Sequence, residues 1–233
     1  MTTKKVAHAL IATVALCLCT PALHAEKAEI FVMGGGASLR DAQYFEQNTV
    51  PYTSSYAMGG RGMVGAETPL NRLFGLEGAF TYGQSNLVIS NFGASPAAKT
   101  SYGIKNLRYS GNLVGHSPIT FRGWRPYATA GIEIDSFLVS NKAAETAVAD
   151  GFGGAPTAIL RSQDKEGFNF GGGLEWKATS RISLRLDLRE HLTGSPNYAL
   201  PSSSLILTDP IFPIAGKARN VEYSIGIVYF LHK

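Results

Sequence analysis

The run Ile182-Ser183-Leu184-Arg185-Leu186-Asp187-Leu188-Arg189 alternates apolar and polar residues without a break. Successive side chains of an extended strand point to opposite faces, so the aliphatics share one face and Ser183, Arg185, Asp187 and Arg189 the other. A soluble sheet buries such an aliphatic face and leaves the charges in water. A transmembrane barrel inverts this, with aliphatics toward lipid and charges in the lumen.

The same alternation predicts eight strands, at Ala28–Leu39, Ser54–Ala66, Leu73–Gln84, Ile104–Val114, Arg125–Leu138, Gly167–Lys177, Arg181–His191 and Arg219–Leu231. Each is near the roughly 9–11 residues that a tilted strand needs to cross a bilayer. The connections alternate in length. Arg40–Thr53, Ser85–Gly103, Val139–Glu166 and Leu192–Ala218 are long, whereas Glu67–Arg72, Gly115–Trp124 and Ala178–Ser180 are short. Short turns at one end and long loops at the other are the pattern of an outer-membrane barrel, with turns in the periplasm and loops outside. The expected fold is all-β, an eight-stranded antiparallel up-and-down transmembrane β-barrel. An even strand count places both termini in the periplasm.

Aromatics gather at the short-turn ends of these strands: Trp124 and Tyr127, Trp176, and Tyr229 with Phe230. That placement predicts a girdle at the membrane interface, with Trp124, Tyr127, Trp176 and Tyr229 as its members. The long loops are polar and rich in small residues, as in Asn91-Phe92-Gly93-Ala94-Ser95-Pro96 and Gly151-Phe152-Gly153-Gly154-Ala155-Pro156.

Residues 1–25 read as a cleavable signal peptide: Lys4 and Lys5, an apolar stretch from Ala9 to Cys19, then Pro21-Ala22-Leu23-His24-Ala25. The mature chain then begins at Glu26, and residues 26–233 form one barrel domain. The expected location is the bacterial outer membrane. Both cysteines lie in the leader, so no disulfide staples the mature protein. Without the two leader lysines the formal charge of +4 falls to +2, which does not point to a nucleic-acid partner. Charged residues are 16% of the chain, aromatics 10%, and glycines number 26. Mean hydropathy is near zero, as expected where apolar residues are hidden in alternation.

Aliphatic faces turned to lipid leave Arg61, Glu77, Arg108, Asn112, Glu133, Asp135, Asn169, Glu175, Arg185, Asp187, Arg189 and Glu222 inside. The signs are mixed, which predicts ion pairs across the lumen and not a single-sign ring that selects ions. Eight strands enclose a space that side chains can fill, and buried charges must be paired, so a plugged or nearly plugged lumen is expected.

The segments Arg125-Pro126-Tyr127-Ala128-Thr129-Ala130-Gly131, Phe168-Asn169-Phe170-Gly171-Gly172-Gly173-Leu174-Glu175, Arg185-Leu186-Asp187-Leu188-Arg189 and Ser224-Ile225-Gly226-Ile227-Val228-Tyr229-Phe230 resemble the small outer-membrane β-barrel family. That family includes the OmpA transmembrane domain and OmpX- and OmpW-like proteins. The resemblance covers essentially all of Glu26–Lys233. It implies the fold, and it leaves function open among anchors, adhesins and small-solute channels. Two features depart from the family. Leu231-His232-Lys233 follow Phe230, where such barrels commonly end on an aromatic, and the peptidoglycan-binding domain of full-length OmpA has no counterpart here.

Other motifs carry less. Gly60-Arg61-Gly62-Met63-Val64-Gly65 matches G-x-G-x-x-G, but a dinucleotide site needs it between strand and helix, and the chain runs on to Pro69 and a turn. Some small outer-membrane barrels are lipid-A hydrolases. Glu190-His191-Leu192-Thr193-Gly194-Ser195 resembles the His-x-Ser site of PagL-type deacylases, with Thr193 where the serine would stand. The favoured reading is a polar strand end with His191 at the headgroup level. His116-Ser117 falls in a turn with no evident acid partner and receives no role. Two of the five histidines, His8 and His24, lie in the leader, and no pair has metal-ligand spacing.

No catalytic residue, cofactor or metal is therefore expected. The leading function is a non-enzymatic structural or surface-interaction role through four long extracellular loops. A narrow channel for small or hydrophobic solutes is the alternative, and a lipid-A deacylase-like enzyme comes third. Expected partners are outer-membrane lipid, lipopolysaccharide and the outer-membrane assembly machinery, with the chain a monomer.

Overall fold

The structure, a computed structural model, describes residues 28–39, 43–47, 50–91, 98–140, 161–196, 198 and 217–231. The expected leader and the quoted segments Asn91–Pro96 (beyond its first residue) and Gly151–Pro156 lie outside them. Among the described residues, ten strands form one antiparallel sheet: β1 (Glu29–Leu39), β2 (Gln43–Gln47), β3 (Val50–Tyr56), β4 (Gly59–Pro69), β5 (Phe74–Asn91), β6 (Ala98–His116), β7 (Trp124–Val139), β8 (Gln163–Lys177), β9 (Ile182–Gly194) and β10 (Lys217–Phe230). Strand β1 pairs with β4 on one side and β10 on the other, and the β5–β6 pairing completes the circuit. The wall is thus a closed eight-stranded barrel of β1, β4, β5, β6, β7, β8, β9 and β10.

Strand β3 continues the line of β4 along the same neighbour. Tyr56 pairs with Leu87 and Gly60 with Gln84, so Ala57, Met58 and Gly59 oppose Ser85 and Asn86. One extra residue on one strand is a β-bulge, which bends the strand and raises its twist. Beyond it the β2–β3 hairpin extends the sheet. Strands β5 and β6 run 18 and 19 residues and stay paired from Phe74↔Gly115 to Asn91↔Ala98. The loop expected over Ser85–Gly103 is therefore mostly strand. Its aliphatics Leu87, Val88 and Ile89 run consecutively among small and polar residues, so the alternation that marks the wall fades there, as a strand that projects beyond the bilayer needs no lipid-facing apolar stripe.

The short turns are built locally. Arg122 (φ 50) and Gly123 (φ 83) form a two-residue hairpin loop closed by reciprocal 2.9 Å hydrogen bonds between Phe121 and Trp124. Positive φ at both central residues suits the twist of the flanking strands. In the Ala178-Thr179-Ser180 turn, Thr179 Oγ1 accepts from the backbone N–H of Arg181 (3.2 Å) and Ile182 (3.0 Å). Asn71 Oδ1 does the same for Leu73 and Phe74 at 2.8 and 2.9 Å.

The faces sort as a membrane barrel requires. Along β9 the side chains of Ser183, Arg185, Asp187, Arg189, His191 and Thr193 are buried, whereas Ile182 and Leu188 are exposed. Phe168 on the outer wall is 66% exposed while the Arg185 guanidinium inside is fully buried. A soluble protein cannot expose that wall to water at acceptable cost, so its solvent is lipid.

Inside, bulk on one strand is met by glycine on the next. The register sets Phe31 opposite Gly65, Arg61 opposite Gly83, Asn112 opposite Gly131, Tyr127 opposite Gly173 and Arg189 opposite Gly171. A Cβ added at any of these glycines would collide with its large neighbour or the backbone beside it. Small barrels fill their taper by this alternation of large and small, which explains much of the glycine content.

Candidate functional site: the charged barrel interior

All ten charged residues assigned to the lumen from the sequence, Arg61, Glu77, Arg108, Glu133, Asp135, Glu175, Arg185, Asp187, Arg189 and Glu222, are buried. Asn112 and Asn169 join them. Eight of the charged residues and Asn112 fall into two networks by their side-chain contacts.

The network nearer the short turns centres on Glu77 of β5. Arg189 Nη1 donates to Glu77 Oε1 at 2.6 Å and Arg185 Nη2 to Glu77 Oε2 at 2.7 Å. Both arginines lie on β9, four strands from β5 around an eight-strand circuit, so these bonds span opposite walls. Asn112, directly across from Glu77 on β6, donates to Oε1 at 2.8 Å. Arg189 also grips Asp187 through Nε (2.8 Å) and Nη2 (2.9 Å). Arg185 Nε donates to the Tyr127 hydroxyl at 2.9 Å, and that hydroxyl in turn contacts Asp187. The Arg185 guanidinium lies 4.3 Å from the Tyr127 ring centre and 5.0 Å from that of Phe31, a cation–π arrangement on both.

The second network centres on Arg108 of β6. Register places Asp135 opposite it on β7, and the pair is bidentate, Nε to Oδ1 at 2.8 Å and Nη2 to Oδ2 at 3.1 Å. Nη1 crosses the barrel to Glu222 Oε2 on β10 at 2.8 Å. Glu133 stands 3.7 Å from Nε and holds His191 Nδ1 at 2.7 Å. Arg61 Nη1 donates to Asn106 Oδ1 at 2.7 Å.

Toward the long loops the interior turns apolar, with Leu87, Tyr102, Ile104 and Phe137 buried. Tyr198, fully buried at φ 51, sets its hydroxyl against that of Tyr56, and its carbonyl accepts from Arg161 N at 2.9 Å. A bulky residue in the left-handed region persists only where its surroundings over-determine it.

Several placements differ from the sequence reading. Tyr127 is an interior residue and not an interface aromatic. It shares the inward phase of Thr129, and Gly173 opposite leaves room for its ring. Trp124 and Trp176 do sit at the surface, directly opposite each other with ring centres 6.2 Å apart, and Tyr229 is exposed. His191 faces the lumen and not the headgroups, because its position is in phase with Arg185 and Arg189. His116 has an acid partner after all: its Nε2 lies 2.6 Å from Glu67 Oε1. Glu67 reads from the sequence as a turn residue, yet it continues the inward phase of Arg61 and Met63 along β4. Glu175 is buried near the short turns, its backbone opposite Arg125 and Arg185. Among the described residues no group of three or more His, Cys, Asp or Glu side chains is arranged to hold a metal ion.

Residues 10–229 match the family model described as outer membrane protein beta-barrel domain. The solved structure of the outer membrane protein OprG from Pseudomonas aeruginosa is similar with a TM-score of 0.57 at 12% identity, over 89% of this chain and 98% of that one. Neisserial surface protein A is similar with a TM-score of 0.51 at 14% identity, over 87% and 96%. At such identities the likeness shows the fold alone. No curated protein matches the chain in sequence.

Proposed function

The chain belongs to the outer membrane protein β-barrel domain family, and from that premise we propose that it is a non-enzymatic barrel with a plugged lumen, acting structurally or through its long loops at the cell surface. The observation that carries this reading is the set of three ion bridges, Glu77 to Arg185, Glu77 to Arg189 and Arg108 to Glu222, that tie opposite walls together through the lumen. A water path would have to pass among side chains that hold one another at hydrogen-bond distance. Opening it would mean separating buried charges, which costs about 3–5 kcal/mol per broken pair. The working surface then lies at the loops.

In this reading a signal peptide directs export, the short turns face the periplasm and the barrel is a monomer. Its partners are outer-membrane lipid, lipopolysaccharide and the assembly machinery that inserts it. A lipid-A deacylase would need His191 to meet its substrate at the outer wall, and His191 is instead buried inside against Glu133.

The test is bilayer conductance of the refolded chain, with folding checked by a heat-modifiable gel shift. Silence from folded protein supports the plugged barrel. Discrete, salt-dependent steps would overturn it and make a narrow channel the leading function.

A further inference from the structure

Among the described residues, the exposed charges at the short-turn end of the barrel are of one sign. Arg72, Arg122, Lys177 and Arg181 are exposed there, one or more from each turn. The turn segments 70–73, 117–123 and 178–181 contain no aspartate or glutamate. The carboxylates nearest that end, Glu29, Glu67 and Glu175, occupy inward-phase strand positions, Glu29 directly opposite Glu67. Among the described residues, none of the four exposed cations is ion-paired with a carboxylate.

Apolar side chains stand between these cations. Ile119 is 74% and Phe121 68% exposed, and Leu70, Leu73 and Trp176 are exposed with them. The Arg122 guanidinium lies 5.3 Å from the Phe121 ring centre, and Lys177 Nζ 5.6 Å from that of Phe230. The apolar groups are continuous with the outer wall, since Phe74, Leu76, Leu174 and Ile182 just above the turns are also exposed.

We propose that this rim binds anionic phospholipid headgroups of the leaflet it borders, periplasmic in the orientation given above, and so selects acidic over zwitterionic lipid. The wall settles the class of partner. A soluble polyanion would reward the cations but leave Ile119 and Phe121 in water. A leaflet satisfies both, with acyl chains against the apolar residues and phosphates at the arginines. The mixed aromatic and basic turns are thus an interfacial surface of defined charge, and this holds whether or not the lumen conducts.

The protein supplies its own reporter. Its two tryptophans, Trp124 and Trp176, both sit at this end. The refolded chain is placed in vesicles of phosphatidylcholine with phosphatidylglycerol, in two preparations of identical composition. Bromine is on the phosphatidylglycerol in one and on an equal amount of phosphatidylcholine in the other. Bromine quenches tryptophan only at close range, so the quenching ratio reports which lipid is adjacent, and either orientation in the vesicle gives the same answer. Phosphatidylglycerol is expected to associate about fivefold more strongly, an advantage that falls toward one in high salt. The variant Arg72→Gln/Arg122→Gln/Arg181→Gln should lose it while keeping its gel shift. If that variant does not fold, Arg181→Gln alone and the salt titration of the wild type read the same effect in part. Equal quenching by both lipids in the wild type would overturn the proposal. An excess untouched by salt and by loss of the arginines would overturn it as well.

Discussion

Arg108 and Glu222 meet in the middle of the barrel from opposite walls, Nη1 to Oε2 at 2.8 Å, with both side chains almost wholly buried. A second pair on neighbouring strands, Arg219 with Glu190, joins the outer surface, where the arginine is about half exposed. The two pairs share chemistry and differ in solvent. Their contrast separates what charge pairing does inside this barrel from what it does outside.

Glu222→Ala leaves Arg108 with a lost partner in a dry interior, and breaking a buried pair costs about 3–5 kcal/mol. Glu190→Ala removes a partly exposed pair, expected to cost about 0–1 kcal/mol. Urea unfolding of the refolded barrel, followed by tryptophan emission, measures both. Equal losses from the two variants would mean that the interior is wet enough to screen Arg108.

Gly83 lies opposite Arg61 and beneath its side chain, so a β-carbon there would collide with the guanidinium. Gly83→Val should destabilise the barrel by about 1–3 kcal/mol through overpacking. Gly60, one residue before Arg61 and facing out, has nothing within 4 Å of the point where a β-carbon would stand. Gly60→Ala is expected to stabilise by about 0.4–1 kcal/mol, because the unfolded chain loses freedom that the folded strand does not use. Thermal unfolding of the two variants should move in opposite directions.

Gly123 holds φ 83 at the second position of the Phe121–Trp124 hairpin, and a β-carbon there would lie 3.0 Å from Trp176 Nε1. Gly123→Ala is thus expected to be destabilising by about 1–2 kcal/mol, since a left-handed conformation is costly for any residue with a side chain. Arg122, at φ 50, is the residue that asparagine would replace to advantage in such a turn. Arg122→Asn should raise the unfolding midpoint slightly while weakening any selectivity for anionic lipid. A matching loss of stability in both variants would count against the turn geometry.

What could be read from the chain was what alternation encodes. Arg185, Asp187 and Arg189 sit at every second position of one run, so their common face follows from strand geometry alone. Their partner Glu77 does not follow, because it is brought across only when eight strands close and the stagger of the circuit is set. Tyr127 reads as a girdle aromatic by its place at a strand end. Its true neighbour Gly173 is 46 positions away, and the space it leaves appears only with the register. Strands β5 and β6 run further than their alternating pattern, since beyond the bilayer hydrogen bonding and inward packing of Leu87 and Tyr102 extend the hairpin without a lipid-facing stripe. His191 is the plainest case: the phase of β9 already placed it inside, and its position at the end of the expected strand drew it to the headgroup level.

The inverted wall is itself open to direct test. Leu188 is the central residue of the 13-residue strand β9 and is 57% exposed on the outer face. If that face meets lipid, Leu188 stands near the bilayer midplane, where an arginine costs about 2–4 kcal/mol. Leu70 is also exposed, but in a turn at the barrel end, where the same arginine should cost about 0–1 kcal/mol. A soluble barrel would show the opposite trend, since an arginine on a water-facing wall improves solubility and disturbs nothing. The folded fraction of Leu188→Arg and Leu70→Arg after refolding into phospholipid vesicles, read by the gel shift, decides between them. A Leu188→Arg barrel that inserts as well as Leu70→Arg would show that this wall does not face the hydrocarbon core.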